Sequence, residues 1–446
     1  MARIAAVVLA AGMGTRMKSS LPKVMHRVAG RPMVSHLLAT LDGMGVEKNV
    51  VVVGPDMEIV TQTVAPVPTV VQEKRLGTAD AVKPARAFLD GFDGSVLILY
   101  GDTPLITEST LNAMLAEREK GNTVVVLGFY PADPGRYGRL IVDKAGGLRE
   151  IVEYKDATEE QRAVRLCNSG VMCVDGKKLF SLLDRIGNDN AAREYYLTDL
   201  VALARADGDK VSLVEGSEEE MTGANSRADL ALLEKIAQGR LRRRFLADGV
   251  TMTDPDTVYF SFDTRLGRDV VIEPNVFFGC GVTVEDGVTI RAFSHLEGAY
   301  VRKNAQIGPF ARLRPEADIG ENCHIGDFVE IKKSRIETGA KVNHLSYIGD
   351  ARVGERTNIG AGTITCNYDG YFKHKTDIGA DVFIGSDTVM VAPVAIGDGA
   401  MTAAGSVITK NVDANALALG RAKQSDLSGW AKTYRDSKKA EKAAKK

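Results

Sequence analysis

The apolar run Ile4–Leu9 empties into Ala10-Ala11-Gly12-Met13-Gly14-Thr15-Arg16, and Pro22-Lys23 follows shortly after. Glycines there let the backbone turn tightly and bring N–H groups up to an anion. A fixed backbone followed by one ammonium suits a triphosphate. The stretch lacks the Gly-Lys-Ser/Thr ending of a P-loop and the third glycine of a dinucleotide fingerprint. A second apolar run, Ser95–Tyr100, ends in Gly101-Asp102. Open parallel sheets bind ligands outside the carboxyl ends of their strands, and an aspartate there can hold Mg²⁺, a hard cation that wants oxygen ligands. Between the two lies Gln72-Glu73-Lys74-Arg75-Leu76-Gly77-Thr78. Gln72 can meet a pyrimidine edge with donor and acceptor together, and Gly77-Thr78 opens a predicted helix, a natural anion site. Each element also has a plainer reading: a turn at Gly12-x-Gly14, a capping Asp102, an N-capping Thr78.

The second half holds a different set. Val342-Asn343-His344-Leu345-Ser346-Tyr347 should turn Val342 inward and His344 outward. Arg314, Lys332 and Lys333 stand shortly before it. Three cations together make either a solvated face or a phosphate site. A loop, Thr365 to Lys375, follows, and Cys366 within it invites a covalent acyl-enzyme reading. Against that, Cys323 sits at an equivalent small-residue position with no chemistry near it. An outward histidine is either simply solvated or, with an unperturbed pKa of about 6.5, able to take a proton near neutral pH.

The elements that must position these groups are of two kinds. Up to about residue 228, strands (Ile4–Leu9, Val50–Val53, Val67–Val71, Ser95–Tyr100, Thr123–Phe129) alternate with helical stretches such as Thr78–Leu89 and Ser109–Glu119. This predicts a Rossmann-like α/β domain with a mostly parallel sheet. Ala228–Ala247 carries Leu230, Leu233, Ile236 and Leu241 at helical spacing, so 229–250 reads as a helical linker. Residues 251–425 count in sixes: Leu266, Ile272, Phe278, Val284, Ile290, Leu296, then Val301 to Ile331, then Ile378 to Ile408. A small residue usually sits two places before each return, and this survives where the spacing slips to five, at Ala299, Ser334 and Ala351. No α-helix has this period; it predicts a parallel β-helix whose interruptions form a binding face. The tail, 426–446, is expected to be partly disordered.

Bulk composition narrows the function. A net charge of −1 argues against general nucleic-acid affinity, and no apolar run is long enough to span a bilayer. Arg240-Leu241-Arg242-Arg243-Arg244 reads as a solvated helical face. Five cysteines fit neither a disulfide framework nor a zinc site, and no signal peptide precedes the first strand, so a cytoplasmic protein is expected.

Leu9-Ala10-Ala11-Gly12-Met13-Gly14-Thr15-Arg16-Met17, with Pro22-Lys23, Leu76-Gly77-Thr78 and Tyr100-Gly101-Asp102, resembles the sugar-1-phosphate nucleotidyltransferases. With the hexads behind it, the chain from about residue 3 to 425 resembles the bacterial bifunctional N-acetylglucosamine-1-phosphate uridylyltransferase/glucosamine-1-phosphate acetyltransferases. The resemblance implies a left-handed β-helix and a homotrimer formed through it, with an acetyl-CoA site that spans neighbouring subunits. It implies that Leu9, Ala10, Ala11, Gly12, Lys23, Gln72, Gly77 and Thr78 hold UTP. Asp102, and Asn225 of Gly223-Ala224-Asn225-Ser226-Arg227, would bind Mg²⁺. Gly138, Glu153 and Asn168 would hold the N-acetylated sugar, while Lys23 and Arg16 neutralise charge during transfer. In the second half it makes His344 the general base, with Glu330 placed to orient it. Arg314, Lys332, Tyr347, Asn358 and Lys373 would take the acceptor sugar phosphate; Ala361, Asn367, Tyr368, Ser386, Ala404 and Arg421 would take acetyl-CoA. The chain departs from the pattern at Asp80, where the family usually has His. Two other readings stay open: a nucleotidyltransferase whose β-helix only assembles or regulates, and a non-catalytic subunit of a translation-factor assembly. His344, Asn367-Tyr368 and Lys373 speak against the first, and Lys23, Asp102 and Asn225 against the second.

Overall fold

The computed structural model describes residues 3–144 and 146–445, as two units that meet at Arg243–Arg244. Met1, Ala2 and Ala145 of the expected first domain, and Lys446 of the expected tail, lie outside the described residues.

The first unit is built on strands β1 (Ile4–Leu9), β2 (Lys48–Val53), β3 (Thr69–Val71), β4 (Ser95–Tyr100), β5 (Val124–Phe129), β6 (Arg139–Val142), β7 (Leu148–Val152), β8 (Cys167–Asp175) and β9 (Val211–Glu215). Their order is β9-β5-β8-β4-β1-β2-β3, with the β6–β7 hairpin hung from β8. β1 runs parallel to both β2 and β4, and β8 runs antiparallel to both β4 and β5. Both faces are covered, so the inner strands read as continuous apolar runs. Ala5, Val7, Val50, Val52, Val96 and Ile98 feed one core, and Ala6, Val8, Val51, Val53, Leu97 and Leu99 feed the other. Side chains that alternate by two make this division automatic. Register then fixes the site, because Leu9 pairs with Tyr100 and the segments after β1 and β4 leave the sheet side by side.

The helix expected from Thr78 to Leu89 is shorter. It is α-helical over Thr78–Val82 and tightens to a 3₁₀ turn over Lys83–Ala85. Pro84 accounts for this: its ring crowds the preceding turn and it has no N–H to continue the helix. A long helix, Arg227–Ala247, matches the expected one closely. Arg240 to Arg244 are expected to form a solvated face, and two of them do not: Arg242 is buried, and Arg240 donates to the Leu105 carbonyl at 2.6 Å.

The second unit is a three-sided parallel β-helix whose sides are sheets of ten, eight and eight strands. Each hexad return stacks on its counterpart one coil away. Val284, Val301, Ile319, Ile336, Val353, Ile378 and Ile396 form one such file. These side chains are 0–2% exposed. Each contributes roughly 1.5–3 kcal/mol of gross burial, so the file alone outweighs any surface ion pair on the prism. The five-residue slips fall at corners, and pairing continues across them. Corners take left-handed backbone, which is why Asn275, Asn304 and Asn322 recur there.

The tail, 426–446, expected to be partly disordered, carries an exposed helix over Trp430–Ala444. Lys438 and Lys445 both pair with Glu441, and Trp430 stacks on Tyr434 one turn away. Contacts at these spacings stabilise an exposed helix.

Candidate active sites

In the first unit, Leu9, Ala10, Ala11, Gly12, Lys23, Gln72, Gly77, Thr78 and Asp102 all line one cavity of about 260 Å³. The eight residues expected to hold a nucleotide are thus together, at the carboxyl ends of β1 and β4. Gly14 is what lets Lys23 approach. Its φ is +65°, and a Cβ there would lie 2.6 Å from Lys23 Cβ. Gly77 is equally constrained, since a Cβ at its φ of +128° would meet the Tyr195 carbonyl oxygen at 2.5 Å.

Asn225 joins through Lys23. The Lys23 ammonium donates to Asp102 Oδ2 at 2.5 Å and to Asn225 Oδ1 at 3.2 Å. Two side-chain oxygens therefore already converge on a cation, a donor set that fits a hard metal retaining water and phosphate ligands. Arg16 is not brought in. It stands exposed on the 3₁₀ turn Thr15–Met17, outside the residues lining the cavity.

Gly138, Glu153 and Asn168 also cluster. Asn168 N donates to the Gly138 carbonyl at 2.9 Å, and a Cβ on Gly138 would lie 3.4 Å from the Glu153 carboxylate. Glu153 lines a second cavity, of about 560 Å³, with Arg136, Lys155 and Arg162. Glu194 lines both cavities, so they adjoin. Burial pushes the Glu153 carboxyl above the usual range, and Asp156 and Asp199 add to the shift.

Five residues of the first cavity carried no expected role: Val24, Arg75, Ala81, Tyr100 and Glu194. Arg75 lies inside the Gln72–Thr78 motif, and its Nε donates to the Ala11 carbonyl at 2.9 Å, tying the motif to the loop after β1. Gln72 also differs from expectation. Its Nε2 donates to Asp80 Oδ2 at 2.8 Å and to the Gly77 carbonyl at 3.3 Å, so its donors are spent inside the protein.

In the second unit, His344 is exposed at a corner of the prism, and its partner is not Glu330. His344 Nδ1 lies 2.6 Å from Asp327 Oδ1. Asp327 pairs with His344 in register across adjacent coils. Glu330 is instead engaged by Arg314 at 2.8 Å and faces Arg312 at 3.8 Å. The bond from His344 holds the Asp327 carboxyl below its ordinary value.

Backbone bonds show what shares that corner. Leu345 N donates to Asp327 O, Gly362 N to His344 O, Asp387 N to Ala361 O, and Gly405 N to Ser386 O. Arg421 then reaches the Ala404 carbonyl at 2.9 Å. Asp327, His344, Ala361, Ser386 and Ala404 thus form one column, one residue per coil. At about 4.8 Å per coil, Ala404 lies roughly 14 Å along the column from His344. Asn358 sits on the strand next to that of His344, and Tyr347 on the adjoining face beside Glu330. Lys332 follows Glu330 on that same face.

The loop expected to leave the prism does so. Asp369 caps it, accepting from Tyr371 N, Phe372 N and His374, which drives its carboxyl far down. Lys373 lies over the Tyr368 ring, 4.1 Å from its centroid. Tyr371 and Phe372 are 87% and 70% exposed. Asn367 is the exception: it is buried and donates to Asp350 and to the Tyr347 hydroxyl.

Residues 6–184 match the family model described as MobA-like NTP transferase domain, and residues 375–410 match bacterial transferase hexapeptide (six repeats). Residues 295–369 match the GMPPB C-terminal domain. Similarity to curated proteins runs through the whole chain. The bifunctional protein GlmU of Rhodospirillum rubrum is 61% identical over 437 residues, 98% of each chain. That of Paramagnetospirillum magneticum is 60% identical over 445 residues, 99% of each chain. The chain belongs to the GlmU family. As a GlmU-family protein it is a bifunctional transferase of UDP-N-acetylglucosamine synthesis, with a nucleotidyltransferase unit followed by a left-handed β-helix of hexapeptide repeats. Its substrates are small sugar and nucleotide molecules. No helix among the described residues is long and apolar enough to cross a membrane.

Proposed function

We propose that segment 251–425 acetylates glucosamine-1-phosphate from acetyl-CoA, and that segment 1–228 transfers uridylyl from UTP to the product, releasing pyrophosphate. The observation that carries the second step is the single cavity uniting Gly12, Lys23, Gln72, Gly77 and Asp102. The attacking sugar phosphate is already anionic and needs no base, so catalysis rests on position and charge. Asp102 and Asn225 would hold Mg²⁺, which would neutralise charge on the triphosphate, and Lys23 would face the phosphates. Arg75, rather than Arg16, is the second cation at the cavity. Gly138, Glu153 and Asn168 seat the sugar.

For acetyl transfer, the carrying observation is the His344–Asp327 pair. Asp327 accepts from Nδ1–H and leaves Nε2 bare, ready to take a proton from the substrate ammonium. The freed amine attacks the thioester carbonyl, and the thiolate leaves. Arg314, Lys332 and Lys373 bind the sugar phosphate, with Tyr347 and Asn358 beside it. Ala361, Ser386 and Ala404 give acetyl-CoA a flat track along the column, flanked by Tyr368 and Arg421. Asn367 supports Tyr347 from within. The exposed loop around Tyr371 and Phe372 completes the site of a neighbouring copy in a homotrimer. Five free cysteines accord with work in the cytoplasm.

Two assays on purified protein test this: thiol release with acetyl-CoA and glucosamine-1-phosphate, and pyrophosphate release with UTP and N-acetylglucosamine-1-phosphate. Both should be positive. Absence of either removes that half of the proposal.

A further inference from the structure

Asp80 stands against Gln72, a residue that lines the nucleotide cavity. An amide side chain can turn either its oxygen or its nitrogen toward a ligand, and the difference decides which base it reads. Here that choice is made by two neighbours. Asp80 Oδ2 lies 2.8 Å from Gln72 Nε2, and the Gly77 carbonyl oxygen lies 3.3 Å from the same atom. A carboxylate and a carbonyl both only accept, so the NH₂ must face them and both its hydrogens are engaged. The reversed amide would set oxygen against two oxygens. Gln72 therefore offers the cavity an acceptor and no donor. Gly77 complements it. This residue also lines the cavity, and its backbone N–H has no acceptor among the described residues.

An acceptor beside a donor matches the imide edge of uracil, where N3–H stands next to C4=O. Cytosine presents the reverse, a bare N3 next to an amino group, and mismatches at both points. We propose that Asp80 is a positioning residue that locks the Gln72 amide and thereby sets the enzyme's preference for an imide base over cytosine. This rests on the uridylyl-transfer reading and adds to it the residue that enforces base choice. Asp80 makes no contact with substrate itself; it acts through Gln72. Its carboxylate is the essential feature, because an amide at position 80 could turn its own NH₂ toward Gln72 and let the Gln72 amide reverse.

The test is steady-state pyrophosphate release by the full chain with N-acetylglucosamine-1-phosphate and UTP, CTP or dTTP, for wild type, Asp80→Asn and Asp80→Ala. Thymine shares the imide edge, so dTTP controls for general damage. The kcat/KM ratio of UTP to CTP should fall about tenfold or more in Asp80→Asn, as expected when a misplaced polar group stops penalising the wrong base. The ratio of UTP to dTTP should stay within about twofold, since both bases lose the same bond. A merely structural role for Asp80 would lower all three nucleotides together and overturn the proposal, as would an unchanged UTP to CTP ratio. Should either variant be too slow to assay, calorimetric binding of UTP and CTP gives the same ratio. Wild type that releases no pyrophosphate from any nucleotide would defeat the uridylyl-transfer reading, whereas active wild type with unaltered variant ratios would defeat only the role of Asp80.

Discussion

Replacing Asp327 by Asn isolates what the carboxylate does for His344. The two side chains meet at 2.6 Å on adjacent coils, and no other described residue bonds to the imidazole. Asparagine keeps the shape but can donate to Nδ1, which drives the ring proton onto Nε2 and removes the base. A positioned general base is worth about 10²–10⁴ in rate, and that whole factor is the ceiling for losing His344. Asp327 acts only through His344, so its loss must cost less. The pair is exposed to water, which weakens it, and a fall in acetyl-transfer kcat of about ten- to a hundredfold is expected. The decisive assay is a double-mutant cycle on thiol release with wild type, Asp327→Asn, His344→Ala and the double variant. The double variant should be no slower than His344→Ala alone. Pyrophosphate release should not change in any of the four, and an unchanged thermal unfolding profile shows that the β-helix is intact. A further rate loss in the double variant would refute the reasoning, because Asp327 would then be acting on the substrate directly.

Three other outcomes follow from the geometry. Asp102→Ala should abolish pyrophosphate release and leave thiol release within about twofold, because catalysis by charge neutralisation needs that oxygen and the β-helix does not; parallel loss of both activities would contradict this. Glu153 has its carboxyl raised by burial, so the folded protein holds that proton more tightly than the unfolded chain does. Its contribution is full below the ordinary carboxylate range and is lost as pH rises through the raised value. Glu153→Gln should therefore gain Tm relative to wild type as pH rises above the ordinary carboxylate range, and a pH-independent difference by calorimetry would be the contrary result. Ile331, fully buried in the prism, should cost about 2–5 kcal/mol when cut to Ala, read as a lowered denaturation midpoint; less than about 1 kcal/mol would mean the coil collapses onto the gap.

The β-helix was readable because a single period governs most of its residues, and the slips at Ala299, Ser334 and Ala351 only shorten a corner. The cavity of the first unit was readable because its residues follow two strand ends that the sheet brings together. Strand β8 escaped notice, since Asn168-Ser169-Gly170 breaks its apolar pattern where the register shifts. Asp327 escaped for a different reason. Its partner lies 17 residues on, a full coil, and only the register reveals that they touch. Glu330 lies nearer in sequence but falls short of a coil, which puts it on the next face beside Tyr347. Asp80 was seen as a departure without a meaning, because its meaning is a bond to Gln72 eight residues away across a turn.

The corner column works as a ruler. Its rungs are set by backbone hydrogen bonding between coils, so the spacing between His344 and Ala404 cannot be tuned by side-chain substitution. It can change only in whole steps. Inserting one complete coil between Ala361 and Ser386 would leave every interior file intact, yet it would push the far end about 4.8 Å away. A carrier of fixed reach would then no longer bridge both ends at once. With acetyl-CoA lying along the column as proposed, the fold would couple the length of the acyl carrier to an integer number of turns.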